Sequence, residues 1–228
     1  MEITWRDKKI TCEEGTTLFD ISKQVEKEYE FPIIVAKVDG VIQELYHEVI
    51  DGTAVSFCTT KDSDGKRAYI RGMSMLLLKA IQEEKAFKEE DRITIDFCLD
   101  SGYYCHLNSK EKPTKELLNR LEKRMREDVK KDIRFEKVVM RTRDARRMFE
   151  KKHMADKSNL LKYRRNSRMT VYHLGDFTDY YYGYMAPDTS YIRWFDLVPY
   201  EYGFVLLLPT KEQPQQVPEL KNSKKLFD

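Results

Sequence analysis

The chain has 228 residues, of which 41% are apolar and 35% charged, and its formal net charge at pH 7 is +2. This length suits two domains better than one, and this composition can bury real cores beneath a charged surface. No segment approaches the run of about 18 apolar residues that a membrane-spanning helix requires. The N-terminus also lacks the apolar region of a signal peptide. We therefore expect a cytoplasmic protein with no membrane partner.

The cysteines exclude a disulfide-stabilised scaffold. There are four of them, none in a CxxC pair, at Cys12, Cys58, Cys98 and Cys105. Such scattered thiols predict reduced, buried cysteines and no metal site.

The small net charge hides a strong asymmetry. Residues 110–170 contain 22 Lys and Arg against 10 Asp and Glu, so the remainder of the chain is acidic. A basic segment attracts phosphates, which makes nucleic acid the obvious partner. The alternative is a solvated helix face whose charges only maintain solubility.

The first sixty residues show a compact alternation of strand and helix signals. EITWRDKKIT predicts a hairpin, and TTLFDISKQVEKEY predicts a helix with a threonine cap and apolar residues at helical spacing. Asp39-Gly40 and Asp51-Gly52 predict turns that lead into further strands. The order strand, strand, helix, strand, strand, strand is that of a ubiquitin-like β-grasp.

These segments resemble a known domain family. EGTTLFDISKQV and then IVAKVDGVIQELYHEVIDGTAVSF follow the order and spacing of the TGS domain, which stands at the front of threonyl-tRNA synthetases and some GTPases. The resemblance covers residues 1–59 and implies a β-grasp TGS domain there.

A second set of elements follows a polar joint near residue 60. RGMSMLLLKAIQEE predicts an apolar helix, RITIDFCLDSGYYCHL predicts two strands, and TKELLNRLEKRMREDVKKD predicts a long helix capped by Thr114. FEKVVMRT predicts a strand and RDARRMFEKK a short helix. TVYHLGDFTDYYYGYMAP and YIRWFDLVPYEYGFVLLLP predict the strands of a sheet flanked by these helices. Residues 211–228 are polar with two prolines and predict a linker.

This second unit also resembles a family, over residues 60–210. RGMSMLLLKAI, DSGYYCHL, LEKRMREDVKKD and GDFTDYYYGYMAP follow the order of the second additional, editing-type domain of threonyl- and alanyl-tRNA synthetases. A TGS domain followed by this domain further resembles the front half of bacterial uridine kinase-like proteins. The resemblance implies an α+β fold of two domains, and a kinase domain of the same polypeptide beyond the linker. ATP and Mg²⁺ would belong to that kinase domain, so we expect no cofactor in this chain.

The editing chemistry of that family is missing here. Its HxxxH helix pair falls on Arg71 and Met75, or on Gly72 and Leu76 in the adjacent register. The Cys and the second His of its D-x-C-x-G-x-H-x-P segment fall on Tyr181 and Met185. None of these residues can act as a general base near pH 7 or hold zinc, so we predict no catalytic residues. The Walker pattern is absent as well.

The aromatic segment Asp179–Met185 allows three interpretations. As a strand it would place Asp179, Tyr181 and Gly183 on one face, with Tyr181 and Met185 towards the degenerate pocket. That pocket is either converted to core, or an aromatic groove for a base or ring with Arg71 or Asp179 as its polar anchor, or a protein interface.

A basic cluster is the candidate RNA site. It interleaves one aromatic residue with cations and comprises Lys162, Tyr163, Arg164, Arg165 and Arg168. Aromatic rings stack on bases while guanidinium groups hold phosphates, which suits tRNA or another RNA. A solvated loop is the alternative.

Three functions follow from these observations. The favoured one is a non-catalytic accessory region that binds RNA or a nucleotide-type ligand beside a uridine kinase-like domain. A hydrolase that edits mischarged tRNA in trans is the second. The third is an oligomerisation scaffold, which predicts an apolar patch formed by Trp194, Phe195, Tyr200 and Tyr202.

Overall fold

The computed structural model describes residues 1–84, 92–108, 113–152 and 154–220. The strands in chain order are β1 (Glu2–Trp5), β2 (Lys8–Thr11), β3 (Ile33–Val38), β4 (Val41–Glu44), β5 (Ala54–Thr59), β6 (Arg92–Leu99), β7 (Gly102–Asn108), β8 (Glu136–Arg141), β9 (Arg168–Leu174), β10 (Phe177–Tyr180), β11 (Asp196–Tyr200) and β12 (Gly203–Leu207). The α-helices are α1 (Leu18–Val25), α2 (Ser63–Glu83), α3 (Lys115–Val129), α4 (Thr142–Lys151) and α5 (Ala155–Lys162), and Glu26–Glu28 and Thr189–Tyr191 form 3-10 turns. The chain is a mixed α+β fold with several sheets.

The N-terminal unit, residues 1–59, forms a five-stranded sheet in the order β2-β1-β5-β3-β4. Strand β1 is antiparallel to β2 and parallel to β5, while β3 is antiparallel to both β4 and β5. The predicted hairpin turns are confirmed. Arg6-Asp7 and Asp39-Gly40 take the positive φ angles that match the twist of a two-residue hairpin turn.

Threonine caps start two helices as the sequence predicts. Thr17 and Asp20 form a capping box at α1, in which each side chain accepts a hydrogen bond from the other residue's backbone N–H. Thr114 Oγ1 accepts from the amide of Leu117, 3.2 Å away, at α3. Each cap satisfies a helical N–H that would otherwise lack a partner.

Helix α2 is the element around which both units pack. It contacts β3 and β5 on one side, and α3, β9 and the 3-10 turn Thr189–Tyr191 on others. Most of this helix is apolar and packed against its neighbours, and its buried residues are Gly65, Ala68, Tyr69, Gly72, Met73, Met75, Leu76, Leu77, Lys79, Ala80 and Ile81. Close approach to β5 requires Gly65, since a Cβ there would lie 2.0 Å from the carbonyl oxygen of Thr59. None of the described helices is long and apolar enough to cross a membrane.

Residues 60–210 contain two sheets, whereas the sequence predicts one. One sheet has the strand order β11-β12-β7-β6 and the other β10-β9-β8. The main core lies between α2, α3 and the inner face of the four-stranded sheet, and Ile34, Val35 and Cys58 of the N-terminal unit belong to it too. The two units therefore share buried surface.

Three sequence predictions need correction or completion. Strand β10 ends at Tyr180, so residues 181–187 form an irregular loop rather than the continuation of a strand. Helix α5 occupies part of the stretch that the sequence left as a basic loop. The predicted linker makes contacts as far as it is described: Val217 and Leu220 pack on the outer face of the four-stranded sheet, against Leu99 and Tyr200 among others. Residues 221–228 lie outside the described residues.

A buried ion pair joins α2 to α3. Lys79 and Asp128 are 6% and 1% exposed, and Lys79 Nζ lies 2.5 Å from Asp128 Oδ2. Lys131 Nζ lies 2.8 Å from the other carboxylate oxygen, and Glu83 pairs with Lys79. Burial alone would raise the pKa of Asp128, but the hydrogen bonds from Lys131 and Lys79 lower it below its usual value. Asp128 is therefore held as a buried carboxylate.

We predict that Lys79→Met lowers the free energy of unfolding by about 3 kcal/mol, because it leaves the buried carboxylate of Asp128 without its buried cation. Lys131→Met is the matched control: its side chain is 62% exposed, so the loss should stay below about 1 kcal/mol. Urea denaturation of both variants measures the difference. Equal losses would show that burial of the pair does not matter.

Candidate functional site

Several of the side chains predicted to line a pocket are packed in the protein core instead. Met75 of α2 and Met185 of the 181–187 loop are 0% and 1% exposed, and both belong to the main core. Tyr181 packs against the same core, and its ring lies edge-on to that of Tyr172 at 6.4 Å between centroids. Three predicted pocket residues thus come together, as packing partners.

The hydroxyl of Tyr181 is a polar atom within this packed, largely apolar group. It is buried and has no hydrogen-bond partner among the described residues. Burial raises the pKa of the phenol well above its ordinary value. A buried hydroxyl without a partner costs about 1–3 kcal/mol, so Tyr181 contributes through its ring and not through its oxygen.

Arg71 holds the loop instead of facing a ligand space. Its Nη1 donates to the carbonyl oxygen of Tyr184 at 3.1 Å. The guanidinium also lies against Gly183, where a Cβ would approach Arg71 Cζ to 2.5 Å, and Gly183 has a φ of +128°. Burial and the neighbouring Arg67 lower the pKa of Arg71. Gly183 is required here both for its backbone conformation and for its missing side chain.

Glu44 of the N-terminal unit fixes the other side of the loop. Its Oε1 accepts from the backbone amide of Met185 at 2.9 Å and lies 2.6 Å from the hydroxyl of Tyr172. The same hydroxyl lies 2.8 Å from the carbonyl oxygen of Gly183 and can donate its single proton to one acceptor at a time. Lys137 pairs with Glu44 Oε2 at 3.4 Å. A carboxylate from one unit therefore organises the loop of the other.

Asp179 is also engaged within the protein. It is buried, and its Oδ2 lies 2.6 Å from Nζ of Lys157 on α5. Its Oδ1 accepts from the amide of Tyr180 at 2.7 Å. Asp179 anchors α5 to β10 in this structure rather than presenting a free carboxylate to a ligand.

The clustered tyrosines have separate environments. Tyr180 packs edge-on against Phe149, and Tyr181 lies in the main core. Tyr184 is half-buried with Lys137 Nζ 5.0 Å from its ring centroid, whereas Tyr182 is 71% exposed. The predicted alternation of two strand faces is wrong, because the strand ends before Tyr181.

The histidines and cysteines lie apart from this group. His106 is exposed and Cys105 buried, on opposite faces of β7 as expected from their adjacency. His173 bonds to Thr178 and His47 to a backbone carbonyl. His153 lies outside the described residues. Among the residues that are described, no three His, Cys, Asp or Glu side chains gather as a metal site would need.

Most residues of the predicted basic cluster are exposed, and in the described structure their positive charges have no carboxylate partners. Lys162 and Tyr163 end α5, and Arg164 and Arg165 follow in the loop before β9, which begins at Arg168. Within the described part of the chain, none of the four cations has a carboxylate within 4.0 Å. Tyr163 is 86% exposed. The structure thus brings all five residues to one end of the three-stranded sheet.

Sequence reasoning missed two residues of this surface. Arg141, the last residue of β8, lies directly opposite Arg168 in the antiparallel pairing, and both are exposed. Tyr182 lies under the guanidinium of Arg164, 5.0 Å from Cζ to the ring centroid, and its hydroxyl accepts a hydrogen bond from Arg164 Nη1. No local pattern indicates either contact, since both depend on strand register and on the path of the loop.

The predicted apolar scaffold patch does not form. Phe195 lies in the main core beneath Arg126, and Tyr200 is buried on the outer side of the four-stranded sheet. Trp194 is half-buried, and only Tyr202, 77% exposed, faces solvent fully. The prediction failed because alternate residues of β11 and its approach turn inward.

Comparison with known proteins gives one consistent result. No family model matches this chain. It is similar to the threonine–tRNA ligase of Clostridium kluyveri, with 29% identity over 184 residues, 80% of this chain and 28% of the ligase. The threonine–tRNA ligases of Citrifermentans bemidjiense (27%, 80% of this chain, 28% of the ligase) and Caldanaerobacter subterraneus (25%, 85% of this chain, 30% of the ligase) match similarly. The chain spans less than a third of the length of these relatives, and none of the three is a kinase.

We predict opposite effects for one substitution at two buried tyrosines. Tyr181→Phe removes an unpaired hydroxyl and should raise the free energy of unfolding by about 1 kcal/mol, whereas Tyr172→Phe removes a bonded one and should lower it by about 1–2 kcal/mol. Urea or thermal denaturation measures both. A loss of stability in Tyr181→Phe would mean that its hydroxyl has a partner.

We also predict that Glu44→Ala weakens the hold on the 181–187 loop. The amide of Met185 loses its acceptor, which should lower the free energy of local opening by about 1.4 kcal/mol. Its hydrogen exchange should therefore accelerate on the order of ten-fold. Glu48→Ala, an exposed carboxylate nearby in the sequence, is the matched control and should leave that exchange unchanged. Unaltered protection in Glu44→Ala would contradict the role of Glu44.

Proposed function

We propose that this chain is a non-catalytic, RNA-binding accessory region. In this proposal residues 1–59 are a TGS-type β-grasp domain and residues 60–210 an editing-type domain that has lost its chemistry. The observation that carries the proposal is the packed pocket: Met75 and Met185 are buried core residues, and the carboxylates nearby are engaged in internal bonds.

One structural feature and one sequence comparison support the assignment of the units. The sheet order β2-β1-β5-β3-β4, with β1 and β5 parallel at its centre and α1 packed across it, is the arrangement that a β-grasp requires. The threonine–tRNA ligase relatives match about four fifths of the chain, which favours an origin of the whole segment in such a protein.

RNA is the partner that the surface chemistry favours. Residues 136–170 carry twelve Lys and Arg against four Asp and Glu, and the cluster around Arg165 lacks internal ion pairs in the described structure. Phosphates would supply the missing negative charge. Transfer RNA is the first candidate because the relatives are named as ligases of tRNA.

The setting of this region within a longer protein is part of the proposal. The order of the two domains resembles the front half of uridine kinase-like proteins. A kinase domain in the same polypeptide would use ATP and Mg²⁺, and none of its residues lie in this chain. The relatives are ligases, so this part of the proposal rests on the sequence resemblance alone.

The competing candidate is a hydrolase that edits mischarged tRNA in trans, which the ligase relatives favour. It requires a water activated by a general base beside a bound aminoacyl group. The filled pocket leaves neither the space nor the imidazole for this. One assay on several aminoacyl-tRNAs separates the two candidates, because an accessory region would release amino acid no faster than buffer does.

We predict that the chain binds unfractionated tRNA with an affinity that falls steeply as salt rises. Arg165→Ala/Arg168→Ala should weaken binding and reduce the slope of log K against log salt by roughly 0.7–0.9 for each phosphate that the protein no longer neutralises. Fluorescence anisotropy across a salt series measures both quantities.

The control removes the same charge from another surface, with Lys27→Ala in the N-terminal unit and Lys61→Ala just after it, where both side chains are exposed. This variant should bind as the wild type does. Absence of binding at low salt would contradict the RNA role, and release of amino acid above the spontaneous rate would contradict the non-catalytic role.

A further inference from the structure

The surface around Arg164 combines open aromatic rings with unpaired cations. Tyr182 and Tyr163 are 71% and 86% exposed. Exposed aromatic rings that are surrounded by charged groups mark binding sites. From this combination, and resting on the proposed RNA role, we propose that the surface binds unpaired RNA, with bases stacked on Tyr182 and Tyr163 and phosphates held by Arg141, Arg165 and Arg168.

Tyr182 is held in position while one of its faces stays open. The ring of Tyr180 meets it edge-on at 5.8 Å between centroids, and Tyr180 itself packs on buried Phe149. Arg164 covers one face of Tyr182 and bonds to its hydroxyl. A ring that is braced from the core and open to solvent loses little further freedom when a flat ligand stacks on it.

The guanidinium of Arg164 extends this aromatic platform. Planar guanidinium groups stack on aromatic faces and on bases. Arg164 is adjacent to Tyr163 in the chain and in contact with Tyr182 in space. Tyr163 supplies the second exposed ring from the neighbouring position in the chain.

Arg141 and Arg168 supply an independent sign of an anionic ligand. They are directly opposite on neighbouring antiparallel strands, where like charges are destabilising. Neither has a carboxylate within 4.0 Å among the described residues. The residues next to this pair are bonded to each other, because Thr142 donates its amide to the carbonyl of Ser167 at 2.9 Å and its hydroxyl to that of Asn166. A bound phosphate would relieve the repulsion of this pair.

Unpaired RNA fits this surface better than a duplex does. Bases inside a duplex present no open face for stacking, whereas unpaired bases do. A surface that acted by charge alone would favour the duplex, whose phosphates are more densely spaced and whose binding is more salt-dependent. Preference between the two forms therefore separates stacking from plain charge attraction.

The test compares binding of a short labelled oligouridylate, which lacks secondary structure, with that of a blunt RNA duplex of equal length. We expect the wild type to prefer the single strand. Tyr182→Ala and Tyr163→Ala should each weaken single-strand binding on the order of ten-fold and leave duplex binding nearly unchanged. Tyr182→Phe keeps the ring and should retain most of the affinity. Tyr202→Ala, a similarly exposed tyrosine in the turn between β11 and β12, is the control and should have no effect.

The outcomes distinguish this inference from the function on which it rests. If both RNAs bind equally and the tyrosine variants match the wild type, stacking is contradicted while the RNA role stands. If neither oligonucleotide nor tRNA binds at low salt, both are contradicted. If polyglutamate displaces the oligouridylate at equal charge concentration, the surface is a general polyanion site and the proposal fails. Circular dichroism melting of each variant verifies that it is folded.

Discussion

The burial of helix α2 on nearly all sides is the constraint on which the rest of the structure depends. Buried apolar residues occupy most of the circumference of α2, whereas Arg67 and Gln82 are exposed, so the chain covers most but not all of its faces. The N-terminal sheet covers one side, and α3 with the four-stranded sheet covers others. Gly65 lets the helix approach β5 closely, and the ion pair of Lys79 with Asp128 fixes α3 beside it. The N-terminal unit has a separate core of its own and adds Ile34, Val35 and Cys58 to the core around this helix.

The burial of α2 also explains why the predicted pocket is closed. In the resembled family this helix carries a polar pair that faces a ligand space, whereas here Met75 and Leu76 extend the apolar surface. The 181–187 loop then closes over it, with Met185 buried and Tyr181 packed beside it. Arg71 and Glu44 hold the loop backbone from two sides. Because Glu44 belongs to the N-terminal unit, closure of the pocket and packing of the two units have become one interaction.

The sequence predicts local structure here much better than it predicts contacts. Hairpin turns at Arg6-Asp7 and Asp39-Gly40, the caps at Thr17 and Thr114 and the apolar face of α3 follow from short patterns whose physics is local. The end of β10 at Tyr180 does not follow from a local pattern, since four tyrosines in five positions favour a strand. The hydrogen bonds that hold Gly183, Tyr184 and Met185 in a loop come from residues far away in the sequence. The roles of Glu44, Tyr172 and Lys157 escape prediction for the same reason. Only the groove interpretation makes Arg71 or Asp179 a ligand anchor, and in the structure both side chains bond within the protein.

The charged surface and the closed pocket lie on different parts of the three-stranded sheet. The pocket side of β9 and β10 is committed to the core, as Tyr172 shows, and therefore contributes stability. The strand ends, in contrast, are exposed. There Arg141 lies opposite Arg168 and Tyr182 exposes its ring, and each feature lowers the free energy of unfolding of the isolated chain. Destabilising features persist in native proteins mainly at functional positions. The buried side chains of Met75, Tyr172 and Met185 therefore stabilise the fold, whereas the exposed cations at Arg141 and Arg168 are the features for which we propose a function.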